Sequence, residues 1–221
     1  MKQPARIKVA KVISGVLNPL LLPLFVFGYC AHVLESDVRV KFVVISIGVF
    51  FFSILPLLIL LAVKRRHKLS SIDIPIREDR TRPFLYGILS MLTGSAMFII
   101  VGLQNADIYQ ALALISVLNA IMAAVITVRW KISIHAISIT SAAVIIYFMS
   151  GGSPLVWPQF YGTSLYLVIS FAVLIGLVLW SRVVLKHHTP AQVILGTIFG
   201  IVFTTLQLLI YFPVRDFDYF T

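Results

Sequence analysis

Between two long apolar runs the sequence reads SRVVLKHHTPAQVILG, Ser181 to Gly196. An arginine, a lysine, two adjacent histidines and a glutamine stand together in a chain that is otherwise greasy. If the flanking runs cross a membrane, this stretch is the turn between them. Ionisable groups facing lipid are unfavourable by about 2.5–3.5 kcal/mol each at the bilayer centre and less near its surface. That penalty favours a pocket where such groups meet each other and a ligand. The second half of the stretch carries a helix start: Thr189 as cap, Pro190 at the first helical position, and Gln192 three residues after the cap. A helix opening directly after His188 turns free N–H groups and a positive dipole end toward an anion. A capping box would also explain Gln192 with no chemistry at all, and both readings of that residue stand.

Working outward, the flanks are apolar over membrane-spanning lengths. The chain has 221 residues, 60% hydrophobic and 12% charged, where a soluble domain carries roughly 25% charged residues. Apolar runs of about 20 residues recur along its whole length. They predict an all-α, polytopic membrane bundle of six to seven spans, at 12–33, 42–63, 84–103, 108–128, 133–150, 163–181 and 191–212. No water-soluble domain is left between them. Residues 1–63 read as an N-terminal helical hairpin and 64–205 as the core that carries the motifs. The basic, apolar N-terminus resembles a secretory signal, but Asn18-Pro19 and Pro23 interrupt its centre, so it reads as an uncleaved first span. The single cysteine, Cys30, lies inside that run and forms no internal disulfide.

The formal charge of +10 lies in short loops beside the spans. There it sets topology and meets anionic headgroups, and it does not suggest nucleic acid. Of the 18 Lys and Arg residues, only Arg39, Lys41 and Arg215 fall on one side of the predicted membrane. The other fifteen share the second side, which the positive-inside rule makes cytoplasmic.

Three polar clusters share that side: REDRTRP at 77–83, WKISIH at 130–135 and SRVVLKHH at 181–188. Arg82 to His135 is 53 residues, and His135 to His188 is again 53. Two crossings of about 20 residues with their turns fill such a gap. The clusters therefore emerge on one face and can converge on one basic pocket with two histidines in it. Separately, each has a bland reading: lipid-binding arginines, a snorkelling Lys131, interfacial histidines. Jointly they suit phosphoryl chemistry. Cations neutralise the non-bridging oxygens, one neutral imidazole attacks phosphorus, and a second, protonated, supplies the leaving oxygen with a proton. No cofactor or metal is implied, because no carboxylate or thiolate set converges with the histidines.

At these residues the chain resembles the type 2 phosphatidic acid phosphatase superfamily, which shares its active site with vanadium haloperoxidases. Ser181-Arg182, five residues and His188 fit the third family motif, Ser133-Ile134-His135 fits the Ser-x-His of the second, and Arg82-Pro83 ends the first. The resemblance covers about residues 70 to 205, and the ending HTPAQVILG looks like a bacterial branch with Gln in place of the motif Asp. Pro75 stands where the family has lysine, with Arg77, Arg80 or Lys131 able to take its part, and Ile132 and Ile134 replace the motif Pro and Gly.

The resemblance implies that His188 is the nucleophile and forms a phosphohistidine. It makes His135 the general acid and then the base for water, and Gln192 the group that orients His188. Arg182, Arg82, Arg80, Arg77, Lys131 and Ser133 would hold the phosphoryl oxygens, with His187 a neighbour only. The expected function is an integral membrane hydrolase, a lipid phosphatase acting on a lipid phosphate or diphosphate within the bilayer. The alternative is a non-catalytic lipid-phosphate binder or transporter on the same scaffold. The expected location is a bacterial inner membrane; most members of this family act at the outer face, whereas the charge count here puts the clusters inside.

Overall fold

A computed structural model of the chain describes residues 4–66, 78–151 and 163–212, without the side chains of residues 64, 66, 78–83, 163 and 164. Every regular element among the described residues is helical. In chain order they are α1 (Ala5–Val16), α2 (Leu22–Leu34), α3 (Val38–Val49), α4 (Leu55–Arg66), α5 (Glu78–Ile100), α6 (Ala106–Arg129), α7 (Ile134–Met149), α8 (Thr163–Val184) and α9 (Pro190–Tyr211). Four apolar stretches are long enough to cross a membrane: Val38–Val63, Ala106–Arg129, Leu165–Val184 and Pro190–Tyr211. Leu22–Leu34, Phe84–Ile100 and Ile134–Met149 are apolar but shorter. The described residues are thus organised as helices alone, and the apolar spans among them make the chain an integral membrane protein.

The span expected at 12–33 is not one helix. Pro19 has no N–H to donate and disfavours helical backbone at Asn18. Asn18 closes a local turn instead, its Oδ1 accepting from the Leu20 N–H at 2.9 Å. The chain breaks between Val16 and Leu22, leaving α1 and α2 as separate helices of 12 and 13 residues. The second expected span does form, with a π turn at Phe50–Ile54 joining α3 to α4. Its cause is Pro56, which cannot donate to Phe52, so the ladder slips by one residue and the Leu55 N–H reaches Phe50 O. Phe51 O is thereby released, and the Ser90 hydroxyl of α5 donates to it at 2.7 Å.

The helices pack as two units, Pro23–Arg129 and the pair of segments Met1–Leu22 and Trp130–Thr221. In the first unit, Phe27, Phe52, Phe98 and Tyr109 form a run of ring contacts with centroids 5.1–5.5 Å apart. Asn105, in the short α5–α6 turn, donates to Leu34 O and to Glu35 Oε1 at 3.3 and 3.0 Å.

The second unit, made of α1, α7, α8 and α9, carries two of the three motif clusters. Its centre is α7, where eleven of sixteen residues are buried. At about 1.5 Å per residue α7 is roughly 24 Å long, short of a bilayer core of about 30 Å. Its neighbours enclose it on all sides, as its all-round apolar sequence requires. α9 lies against it with successive contacts in the same order along both helices. Gly196 faces Ser133 and Ala136, Gly200 faces Ile137 and Thr140, and Thr204 Oγ1 donates to Ser141 Oγ at 2.9 Å. The two helices therefore run parallel, their N-termini at one end of the unit, and α8 returns its C-terminus to that same end. Gly196-x-x-x-Gly200 is the small-residue spacing that lets helix backbones approach in lipid.

A Cβ at Gly200 would collide with Thr140 Oγ1 and stand 2.8 Å from Ile137 O. Gly200→Ala is expected to destabilise the protein by about 1–3 kcal/mol. Gly176→Ala on α8, where nothing stands within 4 Å, should be neutral or stabilising by up to about 1 kcal/mol. Unfolding of both variants in detergent distinguishes the two outcomes.

Candidate functional site

The site sits on five residues, 185–189, that join α8 to α9. α8 ends in a Schellman motif: the Lys186 N–H donates to Val183 O at 3.0 Å and the His187 N–H to Arg182 O at 3.1 Å. The motif needs a left-handed residue, and here it is Lys186, with φ 56°. Glycine usually takes this place, so a side chain here marks a strained turn. The turn is held from the other motif loop as well, because the Lys131 ammonium donates to His187 O at 2.8 Å. That one bond ties the 130–135 cluster to the 181–188 cluster, 56 residues apart.

α9 then opens on the capping box anticipated from TPAQ. The Gln192 N–H donates to Thr189 Oγ1 at 3.3 Å, and the Thr189 N–H donates to Gln192 Oε1 at 3.2 Å. The same Oε1 lies 3.2 Å from His188 Nδ1. This answers the question of Gln192, which both caps the helix and holds the imidazole. A backbone N–H already donates to that atom, so it is the amide oxygen and not the nitrogen. The ring nitrogen facing it must therefore carry the hydrogen. In the neutral ring this places the lone pair on Nε2, the tautomer that a nucleophilic imidazole needs.

The second cluster is built in the same way. Ser133 caps α7, its Oγ accepting from the Ala136 N–H at 3.4 Å, and it is fully buried. His135, two residues after the cap, is half-buried. His135 and His188 thus stand at the N-terminal ends of two parallel, touching helices, where the free N–H groups and dipoles of both favour an anion.

Arg182 is 4% exposed, and its guanidinium donates to Ser14 Oγ of α1 at 2.8 Å. Ser14 is the site neighbour that sequence reasoning missed. It lies 168 residues away, inside a stretch read as a membrane span, and nothing in its local sequence marks it. Ser181, beside Arg182, is fully buried and turns its hydroxyl back to Val178 O at 2.8 Å.

The structure brings Lys131, Ser133, His135, Arg182, His188 and Gln192 to one end of one unit. Arg77 lies outside the described residues, and so do the side chains of Arg80 and Arg82; the backbone of residues 78–83 opens α5 as helix, where the sequence suggested a loop. Among the described residues no three His, Cys, Asp or Glu side chains are placed to hold a metal ion.

The double role of Gln192 is separable. Gln192→Glu keeps an acceptor for both Thr189 N–H and His188, and adds a negative charge at a helix N-terminus; its stability should stay within about 0.5 kcal/mol of the parent or rise. Gln192→Leu removes the acceptor and should lower stability by about 1 kcal/mol. Thermal unfolding in detergent gives both values, and nitrogen NMR of His188 should show the Nδ1–H tautomer in the parent and its loss of preference in the Leu variant.

Comparison of the chain with protein-family models, with curated proteins and with solved structures finds no match.

Proposed function

We propose that the protein is a membrane-embedded phosphatase that removes phosphate from a lipid phosphate or diphosphate, working without a metal ion through a phosphohistidine. The observation that carries this reading is the fixed His188 ring. Its Nδ1 is held by Gln192 Oε1, which in the neutral ring puts the lone pair on Nε2, at an end of the unit where two helix N-termini, the last turn of α8 with Arg182 and the Lys131 loop meet.

In the first step His188 Nε2 attacks phosphorus and the bond from phosphorus to the leaving oxygen breaks. The electron pair of that bond goes to the oxygen, which takes a proton from the His135 imidazolium. In the second step His135, now neutral, takes a proton from water as its oxygen attacks phosphorus. The P–N bond breaks, which returns the electron pair to His188 and releases phosphate. Arg182 and Lys131 offset the charge that spreads over the equatorial oxygens, with the Ser133 loop beside them. By the family resemblance alone, Arg77, Arg80 and Arg82 would take the same role. A bilayer location suits the substrate, since a headgroup can enter at the helix ends while its chains stay among apolar helices. The proposed setting is a bacterial inner membrane, with the site at the cytoplasmic face that the loop charges favour.

Purified protein should release phosphate from at least one of phosphatidate, phosphatidylglycerol phosphate and undecaprenyl diphosphate. His188→Ala should lower that rate by roughly 10³-fold or more, as loss of a nucleophile does. It should also abolish an acid-labile, base-stable phosphoryl label on the protein. Release at the parental rate from His188→Ala rules out the nucleophile. Headgroup binding with no release by the parent would favour a lipid-phosphate binder.

A further inference from the structure

Helix α1 presents three distinct faces. Ala10 and Ser14 are buried against α8, while Val9, Val12 and Val16 are 50–63% exposed on a second face. Lys8 and Lys11 are exposed on the third. A helix with an outward valine stripe beside lysines lies at a membrane surface, its apolar face in the acyl region and its ammonium groups among headgroups.

Beside α1 lies an open groove of about 290 Å³, with walls from α1, α8 and α9. Trp180, Val183, Val184, Pro190 and Ile194 are among its walls, and Arg6 is the one charged residue there among the described residues. Among the described residues none of the walls is acidic, and the lining apart from Arg6 is apolar. The volume lies near the lower end of the roughly 300–1,000 Å³ of small-molecule clefts, which suits part of one hydrocarbon chain. Trp180 and Ile194 are exposed on the membrane-spanning stretches of α8 and α9, so the groove opens where lipid chains lie. Arg6 adds charge complementarity for a phosphate at the headgroup level, the level at which Trp also prefers to sit.

We infer that this groove is a binding site for one anionic phospholipid of the surrounding bilayer, with an acyl chain between Trp180 and Ile194 and its phosphodiester at Arg6. Its walls include Val184 and Pro190, which flank the 185–189 turn, and the occupant inferred here is a resident lipid and not the substrate of the proposed hydrolysis. It stands on α1, the helix that also supplies Ser14 to Arg182 at 2.8 Å.

The test uses the full chain in phosphatidylcholine vesicles doped with either phosphatidylglycerol or phosphatidylcholine carrying brominated chains, which quench nearby tryptophan fluorescence. The chain has three tryptophans, Trp130, Trp157 and Trp180, so Trp180→Phe identifies the reporter. In the parent, brominated phosphatidylglycerol should quench at about fivefold lower mole fraction than brominated phosphatidylcholine, the preference that one near-surface Arg confers. Arg6→Gln should abolish this preference while leaving helicity by circular dichroism unchanged, since Arg6 is exposed. Trp180→Phe should lose the preferential component of quenching. Equal quenching by the two lipids in the parent overturns the inference. So does a preference that survives Arg6→Gln, or one that persists in Trp180→Phe. Phosphate release by the parent and by Arg6→Gln, measured on vesicles that also carry phosphatidate, reports the proposed hydrolysis independently.

Discussion

The contact on which the rest of this half of the molecule depends is the close approach of α7 and α9 at Gly196 and Gly200. In lipid there is no hydrophobic drive to bring two helices together, so packing and interhelical hydrogen bonds must do it. Two glycines remove the side chains that would hold the backbones apart, and the Thr204–Ser141 hydrogen bond continues the seam. Because the helices run parallel, the seam also aligns their N-termini. Ser133 and Thr189, the two caps, then occupy neighbouring positions, and each is within two residues of a histidine. A slip of either helix by one turn would separate the two imidazoles without disturbing either helix internally.

At the open end of this seam a few short connections carry several duties each. Gln192 Oε1 accepts from a backbone N–H and faces an imidazole, so the start of a helix fixes the orientation of a ring. Lys131 stabilises the carbonyl of His187 and couples two loops that are remote in sequence. Such sharing makes the site rigid for few residues. It also means that substitutions here will change local stability together with chemistry, and the two must be read out separately.

Much of this was legible in the sequence because membrane-spanning runs and helix caps are local signals. The helices after residue 37 follow the apolar runs to within a few residues, and Thr189-Pro190-Ala191-Gln192 announced its capping box in the side-chain chemistry alone. The misreading of 12–33 gave the length of the apolar run more weight than the Asn18-Pro19 pair inside it, which ends a helix. Pro56 marks a local disturbance near Phe50–Ile54, but nothing local shows that the released Phe51 carbonyl is taken up by Ser90, 39 residues away. Ser14 was hidden for the same reason: its partner Arg182 is chosen by the packing of α1 on α8 and not by any motif. Gly196-x-x-x-Gly200 was present in the sequence, but that spacing names a close helix contact without naming the partner helix.

The central claim is that His135 and His188, held at the ends of two parallel helices, face a common anion. Replacing both with cysteine in a Cys30→Ser background allows it to be tested on the purified protein with a short bifunctional maleimide. The expected result is efficient cross-linking within one chain, slowed by added vanadate or inorganic phosphate. Two thiols that each react with a monofunctional maleimide but never cross-link would contradict the account.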